Sequence, residues 1–458
     1  MDQALLLSRL QFAWVVALHI LLPAFTVGLA SYIAVLEGTY FFTRRPLFLA
    51  LSRYWLRIFA VSFGMGVVSG IVMPFQFGTN WSRYSEITAG VTGPLMAYEV
   101  LTAFFLEAGF LGILLFGREK VPPLVHFAAA IMVAAGTLLS TFWILSANSW
   151  MQTPAGYAVV DGRFVPTDWL AAIFNPSFPY RLVHTTLAFY ITTAFVVIGV
   201  AAWHLKRGQH VDESLMMQKM GFGLLALLVP LQVLVGDQHG LNTLHHQPAK
   251  LAAIEANWET QAHMPLLLFA WPDEKAERNH LEVAIPDLGS LILAHDVNGK
   301  VPGLKDFRPE DRPPVAIPFF SFRLMVGIGL VMVAPVAWGL VLWRRGRLAS
   351  ARLFHRVCMA ASPIGFIAVI AGWVTTEVGR QPWVVYGLVR TRDAMTPSLT
   401  AGDVALSLAV YVVAYIVIFG SGLYFLARLA RTGFAAGEPG AQPFATPARP
   451  LSGATRAT

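Results

Sequence analysis

Ionisable and sulfur-containing side chains interrupt several long apolar runs of this sequence. His19, Glu99, Glu107, His184 and Met325 each lie within a stretch that is otherwise hydrophobic. An ionisable side chain inside a membrane helix is unfavourable by ~3 kcal/mol or more and usually marks function. His and Met together bind iron in electron-carrying haems, whereas His or carboxylate ligation leaves a position open for oxygen. Carboxylates are equally typical of ion pathways, so the residue types predict a haem site or a proton site.

A second group of polar residues ends an apolar run near the C-terminus. In the stretch "GWVTTEVGRQPW" at 372–383, Glu377 and Arg380 lie between two tryptophans. Such a pair is consistent with an interfacial salt bridge flanked by belt aromatics or with a charged partner for a cofactor. Four histidines of a polar region are interpreted as solvent-exposed rather than metal-binding: His239, His245, His246 and His263.

The composition indicates that membrane helices must position these residues. Hydrophobic residues make up 56% of the 458 positions and charged residues only 13%, against about 25% charged residues in soluble domains. The single cysteine, Cys358, excludes an internal disulfide. The net charge of +7 arises from Arg and Lys in short loops, which membrane topology explains better than nucleic-acid binding does.

Nine segments are long and apolar enough to cross a hydrocarbon core, which takes about 20 residues. The loops after spans 1, 3, 5 and 7 carry more Arg and Lys than the alternate loops. The positive-inside rule therefore predicts a periplasmic N-terminus and a cytoplasmic C-terminus. This topology places Glu377 and every residue of the first group except Glu107 in the outer half of the bilayer. The predicted spans are 12–37, 54–77, 94–117, 124–146, 180–204, 218–236, 319–343, 355–376 and 404–428.

Two segments depart from the pattern of spans and short loops. Residues 237–318 form a long, polar, Pro-rich outer loop, and a loop of this length is typically functional or disordered. Within it, "PAKLAAIEANWE" has the composition of a short helix. The end of the chain, from Gly433 onward, is rich in Pro, Gly, Ala and Thr and is predicted to be disordered. The predicted domains are spans 1–6 (1–236), the outer loop (237–318), spans 7–9 (319–430) and a cytoplasmic tail (431–458).

Several motifs resemble those of cytochrome bd quinol oxidase subunit I. The stretch at 372–383 is similar to the GWxxxExGRQPW signature of that family, and "KLAAIEANWET" at 250–260 is similar to its quinol-loop segment. "SFRLMVG" at 321–327, "RLVHTTLA" at 181–188 and "HILLPAFTVGLA" from His19 also match. The resemblance covers about residues 1–430. The outer loop is shorter than in the enterobacterial long-loop forms, so the chain resembles the short-loop branch, which includes cyanide-insensitive terminal oxidases.

The resemblance implies an all-α integral membrane protein of the bacterial inner membrane. It implies nine transmembrane helices arranged as two four-helix bundles plus one peripheral helix. The expected cofactors are a low-spin haem b, a high-spin haem b and a haem d, or a further haem b in place of haem d. The expected partners are subunit II in a heterodimer, a small single-helix subunit in some members, quinol, O2 and membrane lipid.

The resemblance also assigns roles to single positions. His184 and Met325 match the axial ligands of the low-spin haem b. His19, Glu99 and Glu377 match residues around the two high-spin haems, and which of them binds which haem stays open. The other matches are catalytic proton-route residues (Glu99, Glu107 and Ser140), quinol-loop residues (Lys250 and Glu255) and groups beside the haems (Arg9, Arg323, Trp373 and Arg380).

These roles predict a terminal oxidase subunit that oxidises quinol outside and reduces oxygen to water with cytoplasmic protons. Charge would be separated without a pump, with Glu255 accepting a quinol proton as general base and Glu107 carrying protons from the cytoplasm toward the oxygen site. The alternatives are a proton-coupled transporter that uses buried carboxylates, and a membrane cytochrome b that passes electrons to a partner.

The oxidase and the cytochrome b would contain haem, whereas the transporter would not. We expect a dithionite-reduced minus oxidised absorption spectrum of the purified protein to show haem bands, because the oxidase binds iron porphyrins and the transporter binds none. Quinol-driven oxygen uptake then separates an oxidase from an electron-carrying cytochrome. A preparation that contains no iron would exclude both haem proteins.

Overall fold

The computed structural model describes residues 2–434, which are almost entirely helical. Residues 435–458 of the predicted tail lie outside the described residues. Within the described part, nine helical segments are long and apolar enough to span a membrane, which confirms the predicted number. Spans 1 to 9 are Gln3–Thr43, Pro46–Thr79, Ser82–Phe116, Pro123–Gln152, Phe178–Lys206, Val211–His246, Ala316–Arg344, Arg352–Val378 and Ala401–Thr432.

Most membrane helices of the structure are longer than the spans predicted from the apolar runs of the sequence. Span 6 has 36 residues, a length of about 54 Å at 1.5 Å per residue, whereas a hydrocarbon core is about 30 Å thick. Hydropathy marks only the part of a helix that lies in lipid, so the predicted boundaries are too short. Residues 237–246, predicted as the start of the outer loop, are helical and continue the helix Val211–His246.

Spans 1 and 8 are each interrupted once. Span 1 comprises the helices Asp2–Leu21 and Pro23–Thr43, and the break precedes a proline that lacks the amide hydrogen needed to continue the ladder. Span 8 comprises Arg352–Ala361 and Ile364–Val378. Each interrupted span carries a predicted site residue, His19 in span 1 and Glu377 in span 8.

Span 3 contains a π-helical turn at one of the predicted carboxylates. The turn Glu99–Phe104 separates the α-helices Ser82–Tyr98 and Phe105–Phe116. An uninterrupted α-helix would rotate Glu107 by about 80° from Glu99, and the wider π turn alters that relation. Such turns are rare and are frequent at functional sites.

Span 5 lies at the centre of the helix packing. It contacts span 6 most extensively, and it also contacts the second helix of span 1, span 4 and both helices of span 8. In its most apolar stretch 67% of the residues are buried, against 17% in span 9. Span 5 is therefore enclosed by protein, whereas span 9 packs only on the first helix of span 1 and on span 2 among its larger contacts.

Small residues allow span 5 to approach span 8 closely. A Cβ atom added at Gly199 of span 5 would lie 2.7 Å from Ser362 Cβ, and one added at Gly365 of span 8 would lie 2.6 Å from Thr192 Oγ1. Membrane helices gain little by leaving lipid, so close van der Waals packing at small residues holds them together.

The segment between spans 6 and 7 is folded. Its helix Pro248–Glu255 confirms the short helix predicted there. Ala252, Trp258 and Phe319 belong to one buried cluster, so the loop packs on the N-terminal end of span 7. The other elements of this segment are the antiparallel strands Leu266–Asp273 and Arg278–Ile285 and the helix Leu288–Ala294. Smaller elements on the same side are the strands Tyr157–Val160, Arg163–Pro166, Trp383–Val385 and Val389–Arg390 and the helix Trp169–Ile173.

We expect Gly199→Leu to weaken the packing of spans 5 and 8, because its side chain would overlap Ser362 and the Cys358 carbonyl oxygen. Overpacking of this kind destabilises by about 1–3 kcal/mol. Thermal unfolding in detergent would measure the change. The control is Gly64→Leu in span 2, where an added Cβ meets nothing within 4 Å. Equal midpoints for the two variants would contradict the proposed contact.

Candidate functional site

His184 of span 5 lies half-buried against one face of span 6. A Cβ added at Gly236 would lie 3.4 Å from His184 Cε1, so the missing side chain lets the ring lie close to the helix. Gln232 Nε2 donates to the His184 carbonyl oxygen at 3.2 Å and lies 3.3 Å from both ring nitrogens. His239 lies further along the same face, with its ring centroid 5.4 Å from that of His184. This face of span 6 therefore fixes the position of the imidazole.

Met325 of span 7 lies against span 8 in a similar way. A Cβ added at Gly372 would lie 2.7 Å from Met325 Sδ. Gly372 is the first residue of the "GWVTTEVGRQPW" stretch. The sulfur atom is thus held at a point where span 8 has no side chain, and both predicted low-spin ligands lie over glycines of neighbouring helices.

His19 of span 1 is oriented by span 2. Its Nδ1 lies 2.9 Å from Ser69 Oγ, and this hydroxyl has carbonyl acceptors at Met65 and Gly66, 3.0 and 3.1 Å away. Because the hydroxyl donates to a carbonyl, it accepts from the His19 Nδ1–H. The tautomer that follows leaves Nε2 with a free lone pair, which is the form that binds a metal.

Glu99 and Glu107 face the same stripe of span 4. Ser140 Oγ donates to Glu99 Oε1 at 2.7 Å, and a Cβ added at Gly136 would lie 2.5 Å from Glu107 Cγ. Gly136 and Ser140 are one turn apart, so both carboxylates point toward one side of that helix. Glu107 is 6% exposed, and its Oε1 has no hydrogen-bond partner among residues 2–434.

Glu377 lies in a buried network of polar side chains. Arg380 donates to one of its carboxylate oxygens, and Asn148 Nδ2 donates to the other at 3.1 Å. Arg181 in turn donates to the Asn148 side-chain oxygen. The pair that the sequence places at the end of span 8 is therefore connected to spans 4 and 5.

Lys250, on the helix that follows span 6, lies beside this network and acts on Glu377 through its charge. Its Nζ donates to Gln152 Oε1 at 3.1 Å and to Gln247 Oε1 at 3.2 Å. Burial, and after it the repulsion from Arg181, holds the pKa of Lys250 well below its usual range. An anion bound beside this amine would favour its charged form.

The network contains more positive than negative groups. Arg181, Lys250 and Arg380 are each at most 7% exposed, and Glu377 is the carboxylate that acts on all three. Arg380 Nε and Nη1 and Arg181 Nε are buried without a partner in the described part of the chain. Buried donors of this kind normally have partners, so the donor set fits one or more bound carboxylates.

Glu255 occupies a separate site. Arg323 Nη2 donates to Glu255 Oε2 at 2.7 Å, and the same guanidinium donates to the carbonyl oxygens of Leu267 and Ile254. Lys250 and Glu255 were predicted together as quinol-loop residues. They share a short helix but lie on different faces of it, because five residues correspond to a rotation of about 140°.

The remaining predicted residues are less tightly held. Arg9 is exposed, and Trp373 is half-buried. His245 and His263 are exposed as expected, whereas His239 and His246 are half-buried, with His239 beside His184. Within residues 2–434 no three His, Cys, Asp or Glu side chains form a metal-binding cluster.

Three residues of the network were not predicted from the sequence. Arg181 belongs to the quoted "RLVHTTLA" stretch, three residues before His184, and a charged residue at the start of an apolar span was its signal. Asn148 and Gln152 end the apolar run of span 4 at one-turn spacing. Amides are common at the ends of spans, so composition did not distinguish these two.

Comparison with known proteins identifies the family of this chain. The family described as "Cytochrome bd terminal oxidase subunit I" matches residues 7–434. Cytochrome bd ubiquinol oxidase subunit 1 of Bacillus subtilis is 35% identical over 92% of this chain and 92% of its own length. Cytochrome bd-II ubiquinol oxidase subunit 1 of Escherichia coli is 32% identical over 93% of this chain and 96% of its own length.

A solved structure has the same fold. The bd oxidase from Geobacillus thermodenitrificans superposes with a TM-score of 0.87 at 31% sequence identity, covering 94% of this chain and 99% of that one. The chain therefore belongs to the cytochrome bd terminal oxidase subunit I family and is a multi-pass oxidoreductase subunit of the bacterial inner membrane.

Proposed function

We propose that this chain is the haem-binding, quinol-oxidising subunit of a terminal oxidase that reduces O2 to water. The observation that carries the proposal is the buried network around Glu377, in which three cationic side chains and several unpartnered N–H donors surround one carboxylate. A protein interior does not keep such an excess of charge unless an anion balances it. Haem propionates are anions of the required kind.

The donor set fits haem at two places. His184 and Met325 are assigned to a low-spin haem b, since a neutral imidazole and a thioether are its usual ligands. His19, Glu99 and Glu377 are assigned to the surroundings of a high-spin haem b and of a haem d or a further haem b. When bound, these groups would supply one-electron transfer from quinol to oxygen.

The N–H groups of the network would bind the acidic groups of the cofactors. Arg380 offers Nε and Nη1 while it remains bonded to Glu377, and Arg181 offers Nε. Lys250 is close enough to both to be repelled by them. Propionates at this position would accept the unpartnered N–H groups and balance the charge of Lys250.

The outer loop would bind quinol at the Glu255 site. Glu255 is 4% exposed and is held by Arg323, so its carboxylate is fixed in position to accept a proton from a quinol hydroxyl. The loop assigned to this role is residues 237–318, of which the structure includes 237–246 in span 6. Because Lys250 lies on a different face of the helix from Glu255, it would contact the haem network and not the quinol.

Protons for water would reach the oxygen site through Glu107, Glu99 and Ser140. Ser140 is bonded to Glu99, and the unpartnered Glu107 oxygen lies against the same stripe of span 4. With the N-terminus periplasmic, Glu107 lies on the cytoplasmic side of Glu99. Protons taken from the cytoplasm and released outside would generate a proton motive force without pumping.

The chain would act in a heterodimer with subunit II, and a small single-helix subunit is a further candidate partner. We assign spans 1–4 and 5–8 to two four-helix bundles and span 9 to a peripheral position. The contacts of span 5 with spans 6 and 8, and of span 9 with spans 1 and 2, support this arrangement.

We expect Gly372→Ala to perturb the low-spin haem, because the added Cβ would displace Met325 Sδ from its position 2.7 Å away. Changes next to a ligand typically weaken binding by about 10–100-fold. The low-spin band and its midpoint potential would report the change. The control is Gly327→Ala, where an added Cβ meets nothing within 4 Å. Identical spectra for both variants would contradict the assignment of Met325 as a haem ligand.

We expect Glu377→Ala to remove the high-spin haem signal and oxygen consumption while leaving the low-spin haem. The change leaves the neighbouring cations without their carboxylate, and the site then loses the geometry needed for haem. The haem-to-protein ratio after pigment extraction would measure the loss. The matched control is Glu86→Ala, whose partners Arg83 and Arg163 lie on the exposed surface. A wild-type high-spin spectrum in Glu377→Ala would refute the assignment.

A further inference from the structure

A second buried polar cluster lies at the end of spans 1–4 that is opposite to Glu377. Arg118 and Ser52 both donate to Glu37 Oε1. His126 Nδ1 lies 3.4 Å from Glu37 Oε2, and each of these two side chains is only 3% exposed. The cluster joins spans 1, 2 and 4 to the loop after span 3, and it has no part in the route proposed above.

An oxygen acceptor lies near each ring nitrogen of His126. His126 Nε2 lies 3.1 Å from the Leu114 carbonyl oxygen, and Nδ1 faces the Glu37 carboxylate. Both neighbours are acceptors, whereas a neutral imidazole has only one N–H. A neutral ring would therefore point a nitrogen lone pair at an oxygen. The contact between His126 Nδ1 and Glu37 Oε2 becomes favourable when these two side chains share one more proton, either on Nδ1 or on the carboxyl group.

The cluster lies close to the proposed proton route. Leu114, which accepts from His126, is seven residues after Glu107 on the same helix, a separation of about 10 Å. His126 is on span 4, which also carries Gly136 and Ser140. The intervening side chain of Leu111 is buried, apolar and unable to carry a proton, so transfer to Glu107 would need water molecules in this interval.

The cluster also has access to the aqueous phase. The Arg118 side chain is 22% exposed, and its guanidinium lies 6.0 Å from the Tyr40 ring centroid. Arg53, Glu119 and Lys120, the other charged groups on the adjoining parts of span 2 and the loop, are exposed. Arg118 is therefore the charged group that faces the Glu37–His126 pair from these elements.

We propose that Glu37 and His126 form a proton-binding site at the cytoplasmic end of spans 1–4 that supplies Glu107. The shared proton leaves His126 Nδ1 or the Glu37 carboxyl for water, water carries a proton to Glu107, and a cytoplasmic proton replaces it. Only N–H and O–H bonds form and break. The inference rests on the proposed function, because it takes Glu107 as the destination.

The test uses the purified complex of both subunits carrying His126→Gln or Glu37→Gln. Glutamine keeps a donor or acceptor at each position but does not take up the shared proton. We expect quinol-driven oxygen uptake to fall by at least about tenfold near pH 9 relative to wild type, and much less near pH 6, because general acid–base groups typically contribute about 10²-fold or more. Arg53→Gln, an exposed charge on span 2, is the control.

A second measurement reports the proton itself. Infrared difference spectra between about pH 6 and about pH 9, spanning the range over which histidine usually titrates, should contain a signal of the shared proton, either in the carboxyl and carboxylate bands of Glu37 or in the ring bands of His126, that Glu37→Gln and His126→Gln each remove or shift. Haem content equal to wild type shows that each variant has assembled. Wild-type pH profiles in both variants, or the absence of that infrared signal in the wild-type complex, would overturn the proposal. If Glu107→Gln keeps full oxygen uptake while the infrared signal persists, the proposed route through Glu107 is wrong but the proton-binding site stands.

Discussion

Charge balance inside a low-dielectric interior is the constraint on which the site depends. Arg181, Lys250 and Arg380 are brought together by three different segments of chain, and Glu377 is the carboxylate they share. Bringing three cations together out of water is strongly unfavourable unless anions join them. We therefore propose that this cluster binds the acidic edge of a cofactor.

The helix packing serves the same site. Gly236, Gly372 and Gly70 each lie where a side chain of a neighbouring helix, His184, Met325 or His19, comes within 3.4 Å of an added Cβ. Small residues are also what membrane helices need to pack closely. Small residues thus both hold the spans together and leave room for the proposed ligands. We expect a larger side chain at any of these glycines to change the helix packing and the position of the ligand.

The polar groups divide between the two ends of the helices. Glu255, Arg323 and the network around Glu377 lie at one end, the Glu37–His126 pair lies at the other, and Glu107 lies between them. Electrons released at the first end and protons drawn from the second would meet at an oxygen site near the first. In the proposed function, such an arrangement would separate charge across the membrane by geometry, without a conformational cycle.

The sequence by itself determined the membrane class, the number of spans and the residues in which chemistry was expected, because apolar length and misplaced ionisable groups are local properties. It also predicted the helix Pro248–Glu255, whose composition is local too. The sequence did not predict which polar side chains of different helices pair, such as Asn148 with Glu377 and Ser69 with His19. It also did not predict that Lys250 and Glu255 have separate partners. Those contacts join residues up to 229 positions apart, and only the tertiary packing decides which polar side chains of different spans meet.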